Sequence, residues 1–402
     1  MTTAERRASQ SLAGIFALRM LGLFLVLPVF ALEARHYPGG SDPALIGLAM
    51  GIYGLTQAVM QAPLGLASDR FGRKRVIVLG LLVFAAGSLW AALAGSVHAL
   101  MAARALQGAG AVSAAATALL ADLTRDAVRT KGMALVGISI GLVFALSLIV
   151  APPLAARVGL PGLFGLTAVL ALGGVLMVLW WTPPEPARSQ TSASVPRARL
   201  ADVWRHPHLW RLYLGIFVLH TVQMAMWSVL PALLVAAGLP KAAHWHVYLP
   251  AVLVSFLMLG TLFAMERRGQ MALAQRAAIA LLLLVQWLLY FWATRGPGIW
   301  LLGALLLLFF VAFNVLEASQ PSLISRLAPV PARGAALGVY NTLQSLGLFA
   351  GGALGGGLLK AFGAQAVFAV AGALALLWLL LGWAQPMPKA PPLSQQQPAT
   401  GQ

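Results

Sequence analysis

The stretch Gly65-Leu66-Ala67-Ser68-Asp69-Arg70-Phe71-Gly72-Arg73-Lys74-Arg75 sets one acid and four bases between two apolar runs, approximately 44–67 and 76–95. Each run has about the 20 mostly apolar residues that a helix needs to cross a bilayer. A connection this short forces its two helices to be antiparallel. The charged stretch then sits at one boundary between lipid and water.

Composition extends that reading to the whole chain. Of 402 residues, 60% are hydrophobic and only 9% charged, against roughly 25% charged in soluble domains. A water-facing surface cannot be built from this material. The net charge of +17 comes from short basic clusters scattered between apolar runs, which is the positive-inside pattern and not a nucleic-acid patch. With no cysteine present, disulfides, thiolate metal sites and cysteine nucleophiles are excluded.

Ten further runs follow the same pattern, giving twelve expected spans: 12–34, 44–67, 76–95, 99–121, 132–156, 163–182, 208–236, 246–265, 276–294, 299–325, 335–359 and 365–385. The first run is longer than the 7–15 residue apolar core of a signal peptide, so it reads as a membrane span. With the N-terminus inside, twenty Lys and Arg fall in cytoplasmic segments and five in outer loops (Arg35, Arg157, Lys241, Arg295 and Lys360). Both termini are therefore expected in the cytoplasm. The polar stretch 183–206 reads as a linker between an N-terminal unit, 1–182, and a C-terminal unit, 207–385. The tail 386–402, rich in Pro, Gln and Ala, reads as disordered.

The two units echo each other. Glu266-Arg267-Arg268-Gly269 after span 8 is a worn copy of Asp69-Arg70-Phe71-Gly72 after span 2. Span 11 carries Gly338, Gly347, Gly351, Gly352, Gly355 and Gly356, and the same spacing in span 5 falls mostly on small residues, Ser147, Ala151, Ala155 and Ala156 among them. Small residues on one stripe let membrane helices approach closely. A duplicated six-span unit is a transporter plan.

These residues resemble the major facilitator superfamily. The stretch Gly65–Arg75 is similar to its loop 2–3 signature at every defined position, and Arg104-Ala105-Leu106-Gln107-Gly108 to its span 4 motif. The span 5 antiporter motif is only partly met, with Ala155 and Ala156 in place of glycines. Leu18–Gly22, Ile52–Ala58 and Phe313–Ser319 look like the YajR-type branch of inner-membrane drug/proton antiporters. The resemblance implies an all-α membrane protein of major facilitator fold, with twelve helices in two pseudo-symmetric six-helix bundles. It implies alternating access in the inner membrane, a small-molecule substrate and protons as partners, and a monomer in the lipid bilayer.

Ionisable groups at membrane depth cost at least about 2.5–3.5 kcal/mol on insertion scales, so each is a functional candidate. Arg19, Arg104, His220 and Glu317 fall one each in spans 1, 4, 7 and 10, which line the central cavity in the fold the resemblance implies. Glu317 is the leading proton carrier, because burial disfavours a carboxyl's charged form. Its bland alternative is a neutral carboxyl bonded between helices. His220 titrates near neutrality or is an uncharged bonding partner. Arg104 is a fixed positive charge, and Arg19 lies nearer the cytoplasmic side, where it could snorkel. Glu33, at the outer end of span 1, reads as a solvated rim residue.

Gly65, Asp69, Arg70, Gly72, Arg73 and Asp122 form the expected conformational gate. The resemblance sets Asp69 against the positive N-terminus of span 11, near Gly334, in the outward-facing state. Tyr53, Gln57, Gln61, Trp227, Asn314, Tyr340, Asn341 and Gln344 are expected to wall the substrate cavity. No metal cluster, cofactor motif, nucleophile elbow or Walker lysine is legible, so no enzyme is expected. The function expected is proton-coupled export of small amphipathic or cationic compounds. The alternative is a proton symporter or facilitator for nutrient uptake.

Overall fold

A computed structural model describes residues 1–185, 207–329 and 332–383. Most of the linker and the whole C-terminal tail lie outside the described residues. Ten helices are long and apolar enough to cross a membrane. Spans 1 to 3 are Thr3–Glu33, Pro43–Phe71 and Arg73–Ala92. Spans 8 to 12 are Trp245–Arg267, Met271–Trp292, Ile299–Leu327, Arg333–Phe362 and Ala364–Trp383. Span 7 is Pro207–Trp227, interrupted at Ser228 and Val229 and resumed as Leu230–Ala236.

The remaining expected spans depart from simple rods. Span 4 was expected to be continuous over 99–121 and is instead two helices, Val97–Ala109 and Ser113–Asp122. The interruption falls where Gly80 of span 3 and Gly110 meet. A Cβ on Gly110 would lie 2.4 Å from the Gly80 carbonyl oxygen, so only a bare backbone fits. Spans 5 and 6 share one helical element, Asp126–Leu176, with a non-helical turn at Gly159 (φ 62°, ψ −172°). A straight rod of 51 residues would run about 76 Å, against a bilayer core of about 30 Å.

The contacts show that this element folds back. Ser139 Oγ donates to the Ala13 carbonyl at 3.2 Å. Met177 Sδ lies 2.6 Å from the position a Gly14 Cβ would take. Residues on both arms thus meet the same turn of span 1, and Thr167 Oγ1 donates to the Gly22 carbonyl at 2.9 Å. Counted this way, the helices are consistent with twelve crossings. Trp180 and Trp300, 74% and 92% exposed, point outward from the bundle.

Span 1 begins at Thr3, well before the expected residue 12. A capping box starts it: the Glu5 amide donates to Thr2 Oγ1 and the Thr2 amide to the Glu5 carboxylate. Glu5 then pairs with Arg125 at 2.7 Å, which fastens the helix start to the segment after span 4.

The two halves meet at one end. Span 2 crosses span 11 so closely that a Cβ on Gly47 would lie 2.2 Å from the Gly352 carbonyl oxygen, and one on Gly352 2.5 Å from that of Gly47. The glycines of span 11 divide between two partners. Gly352 and Gly356 face span 2, while Gly347, Gly351 and Gly355 face Phe217, Thr221 and Ala225 of span 7. At the same end Lys360 Nζ pairs with Asp42 at 2.6 Å, and Lys241 pairs with Glu33. Glu33 is therefore a buried clasp between the halves, correcting its reading as a solvated rim residue. At the opposite, basic end the span 11 stripe opens, and nothing among the described residues lies within 4 Å of a Cβ built on Gly334 or Gly338.

Candidate functional site

Glu317 lies midway along span 10, with about a third of its side chain exposed. Two side chains of other helices converge on it. Gln344 of span 11 donates from Nε2 to Glu317 Oε1 at 3.1 Å, and the same nitrogen lies 2.9 Å from His220 Nε2. An amide nitrogen carries two protons, so Gln344 serves both groups. His220 Nδ1 sits 3.2 Å from the Ile216 carbonyl and must carry a hydrogen to bond it. Nε2 is then the acceptor, and the network describes a neutral imidazole. Glu317 Oε2, 3.8 Å from His220 Nε2, has no hydrogen-bond partner. The result is a carboxyl with one oxygen held and the other free, beside an imidazole nitrogen whose lone pair is taken by the Gln344 amide.

The N-terminal half contributes two arginines. Arg19 is 1% exposed and does not snorkel, correcting that alternative. Its guanidinium donates to Tyr53 Oη at 2.8 Å, Ser113 Oγ at 3.3 Å and Gln57 Oε1 at 3.4 Å. Arg104, 5% exposed, donates to Gln107 Oε1 and the Met50 carbonyl, each at 3.2 Å, and lies 5.1 Å from the Tyr53 ring centroid. One tyrosine thus receives a guanidinium on its face and another on its hydroxyl. Gln57 carries the polar chain across the seam, donating to Ser345 Oγ of span 11 at 3.0 Å.

The other expected cavity residues divide. Asn341 is half-buried one turn from Ser345. Asn314 donates to Ser255 Oγ at 2.9 Å, tying span 10 to span 8. Gln61 and Tyr340 are buried, with Gln61 Oε1 and Tyr340 Oη unbonded. Trp227 is fully buried and packs edge-on against Tyr248 at 5.6 Å, so it is packing near the closed end and not an open cavity wall.

At the basic end Arg73 gathers the loop residues. It pairs with Asp69 at 2.6 Å and Asp122 at 3.2 Å, and donates to Ser68 Oγ at 2.6 Å. The expected Asp69 contact with span 11 is not made among the described residues. The halves are apart at this end, and Asp69 turns to Arg73. Arg70 lies over the Phe71 ring, Gly65 faces Ala114, and Gly72 has φ 102°.

One residue here was not anticipated. The Glu185 carboxylate accepts from the Arg73 and Lys74 amides at 3.1 and 2.6 Å. Span 3 opens after a glycine with no capping side chain, and its exposed amides attract an anion. That missing cap is the signal in the sequence.

Membrane-spanning helices in two halves that meet at a seam, with a half-buried carboxyl at membrane depth, define a membrane transporter and no enzyme. The Major Facilitator Superfamily model matches residues 12–352 and 276–401, and the chain belongs to that family. It is 43% identical over 381 residues to the inner membrane transport protein YajR of Escherichia coli K12, covering 94% of this chain and 83% of YajR. It is 25% identical over 364 residues to multidrug resistance protein 2 of Bacillus subtilis, covering 86% of each. Among solved structures, the human organic anion transporter MFSD10 superposes with a TM-score of 0.70 at 22% identity, covering 94% of this chain and 99% of that one; this likeness concerns the fold.

Proposed function

We propose that this chain is a proton-coupled secondary transporter of the inner membrane, acting as a monomer and exporting small amphipathic compounds by alternating access. The observation that carries the reading is Glu317 itself. A carboxyl at membrane depth, bonded on one oxygen and free on the other, can gain and lose a proton at the free oxygen while Gln344 still holds it. Gln344 holds it beside His220, and the two bundles, 1–182 and 207–385, rock about the seam between them. The basic end is the cytoplasmic one by its Lys and Arg content, with both termini there. The closed end is then the outer one, and the arrangement described is inward-open. Relatives named for multidrug resistance support export.

A proton symporter is the second reading. Arg19 and Arg104 favour it, because an anion entering with a proton moves no net charge. The same two residues speak against the expectation of a cationic substrate. Proteoliposomes under an imposed pH gradient test both readings. Export by antiport expects an inside-acidic vesicle to accumulate compound as protons leave, symport expects the opposite gradient to drive uptake, and flux indifferent to the gradient contradicts both.

A further inference from the structure

Arg19 and Arg104 are permanently charged, nearly fully buried, and bonded among the described residues to neutral groups. The acceptors around them are a serine, a tyrosine, two glutamines and a backbone carbonyl, with the Phe84, Phe30 and Tyr53 rings beside them. Nε of each guanidinium has no hydrogen-bond partner. A buried charge without a counter-charge costs several kcal/mol, so the rule is that such charges are paired.

The carboxylates that could pair them are engaged elsewhere. Glu5 holds Arg125, Glu33 holds Lys241, and Asp42 holds Lys360. Asp69 and Asp122 hold Arg73, and Glu185 caps span 3. Glu317, with one oxygen free, stands among the C-terminal helices and bonds neither arginine. Among the described side chains, no acid pairs with either buried arginine.

The two guanidiniums share Tyr53, and Arg19 is one side chain from the seam. Gln57 accepts from Arg19 at 3.4 Å, the longest of that group's bonds, and its other end bonds Ser345 of the opposite half. Binding sites of such transporters lie near the bilayer midplane at the interface of the repeats. A solute in the seam that displaces Gln57 meets Arg19 first and Arg104 behind the same ring.

We propose that the counter-charge is supplied by the transported solute: Arg19 and Arg104 form an oxyanion subsite, and the substrate carries a carboxylate, phosphonate or sulfonate. This rests on the transporter reading and names its substrate class. The charge balance also explains the absence of acid here, since a resident carboxylate would compete with the solute.

The test uses the full-length purified chain in detergent at one pH, with no gradient. Benzoate, benzyl alcohol and benzylammonium are titrated at constant ionic strength and followed by the shift in melting temperature. Benzoate should bind at least tenfold more tightly than its neutral and cationic counterparts. Arg19→Gln and Arg104→Gln should each abolish that preference, while Arg104→Lys should keep part of it. Benzoate binding no better than benzyl alcohol, or a preference that persists in both glutamine variants, overturns the proposal. Should either variant fail to fold, the wild-type ranking still decides. Glu317→Gln should retain the anion preference, so a failure of proton coupling and a failure of this subsite are read separately.

Discussion

Gln344 Nε2 stands 3.1 Å from Glu317 Oε1 and 2.9 Å from His220 Nε2, so one amide from span 11 fixes the carboxyl of span 10 and the imidazole of span 7. The span that supplies this amide also supplies the glycines of the closed end. A change of state at Glu317 therefore acts on the helix that packs the halves together.

Removing the amide should uncouple the pair. Gln344→Ala is expected to slow transport about tenfold or more, since a lost hydrogen bond to a charged group is worth about 1.5–3 kcal/mol. In a Glu317→Gln background the same change should cost little more, because residues in one network do not add. Initial rates of the four forms of this cycle check it, and fully additive losses would separate Gln344 from Glu317.

Gly352→Ala should loosen the closed end. The new methyl would meet the Gly47 carbonyl oxygen at 2.5 Å, and overpacking of this kind costs about 1–3 kcal/mol. That is enough to move a two-state population roughly 5–150-fold. In this cysteine-free chain, a single reporter in place of Leu233 should label faster in the variant. Unchanged labelling would mean that the close crossing does not hold this end shut.

The loop at the basic end should act as a unit. Asp69→Asn and Arg73→Ala each remove one partner of a half-buried pair. When the basic end closes, Asp69 is expected against the span 11 N-terminus with Arg73 positioning it. Losing that contact should outweigh the lost pair, so both changes should favour the arrangement described, in which Asp69 makes no bond to span 11 among the described residues. Labelling near Ser325 should rise and labelling at Leu233 should fall, with the double change no larger than the bigger single one. Loss of transport with both labels unchanged would assign the loop to folding.

The crossings, the loop motif and the four ionisable residues were legible because lipid makes polarity expensive, so each polar group in an apolar run is visible in one dimension. The glycine stripe was legible as close packing, but its division between spans 2 and 7 depends on helix rotation, which composition does not carry. Glu33 and Lys241 are more than two hundred residues apart, and only the closed end joins them. Likewise, the spacing could place Arg19 in span 1 but could not show that Tyr53 and Ser113 would enclose it. The Asp69 contact was expected for a state closed at the basic end, and the structure is closed at the other.

The most direct measurement is proton-coupled flux in proteoliposomes with Glu317→Gln beside the wild type. Glutamine keeps the size and bonding of the side chain but cannot titrate. The variant should still bind substrate and exchange it across the membrane without a gradient, yet lose concentrative transport and its dependence on pH. Gradient-driven accumulation that persists in Glu317→Gln with wild-type pH dependence would contradict the role of this carboxyl.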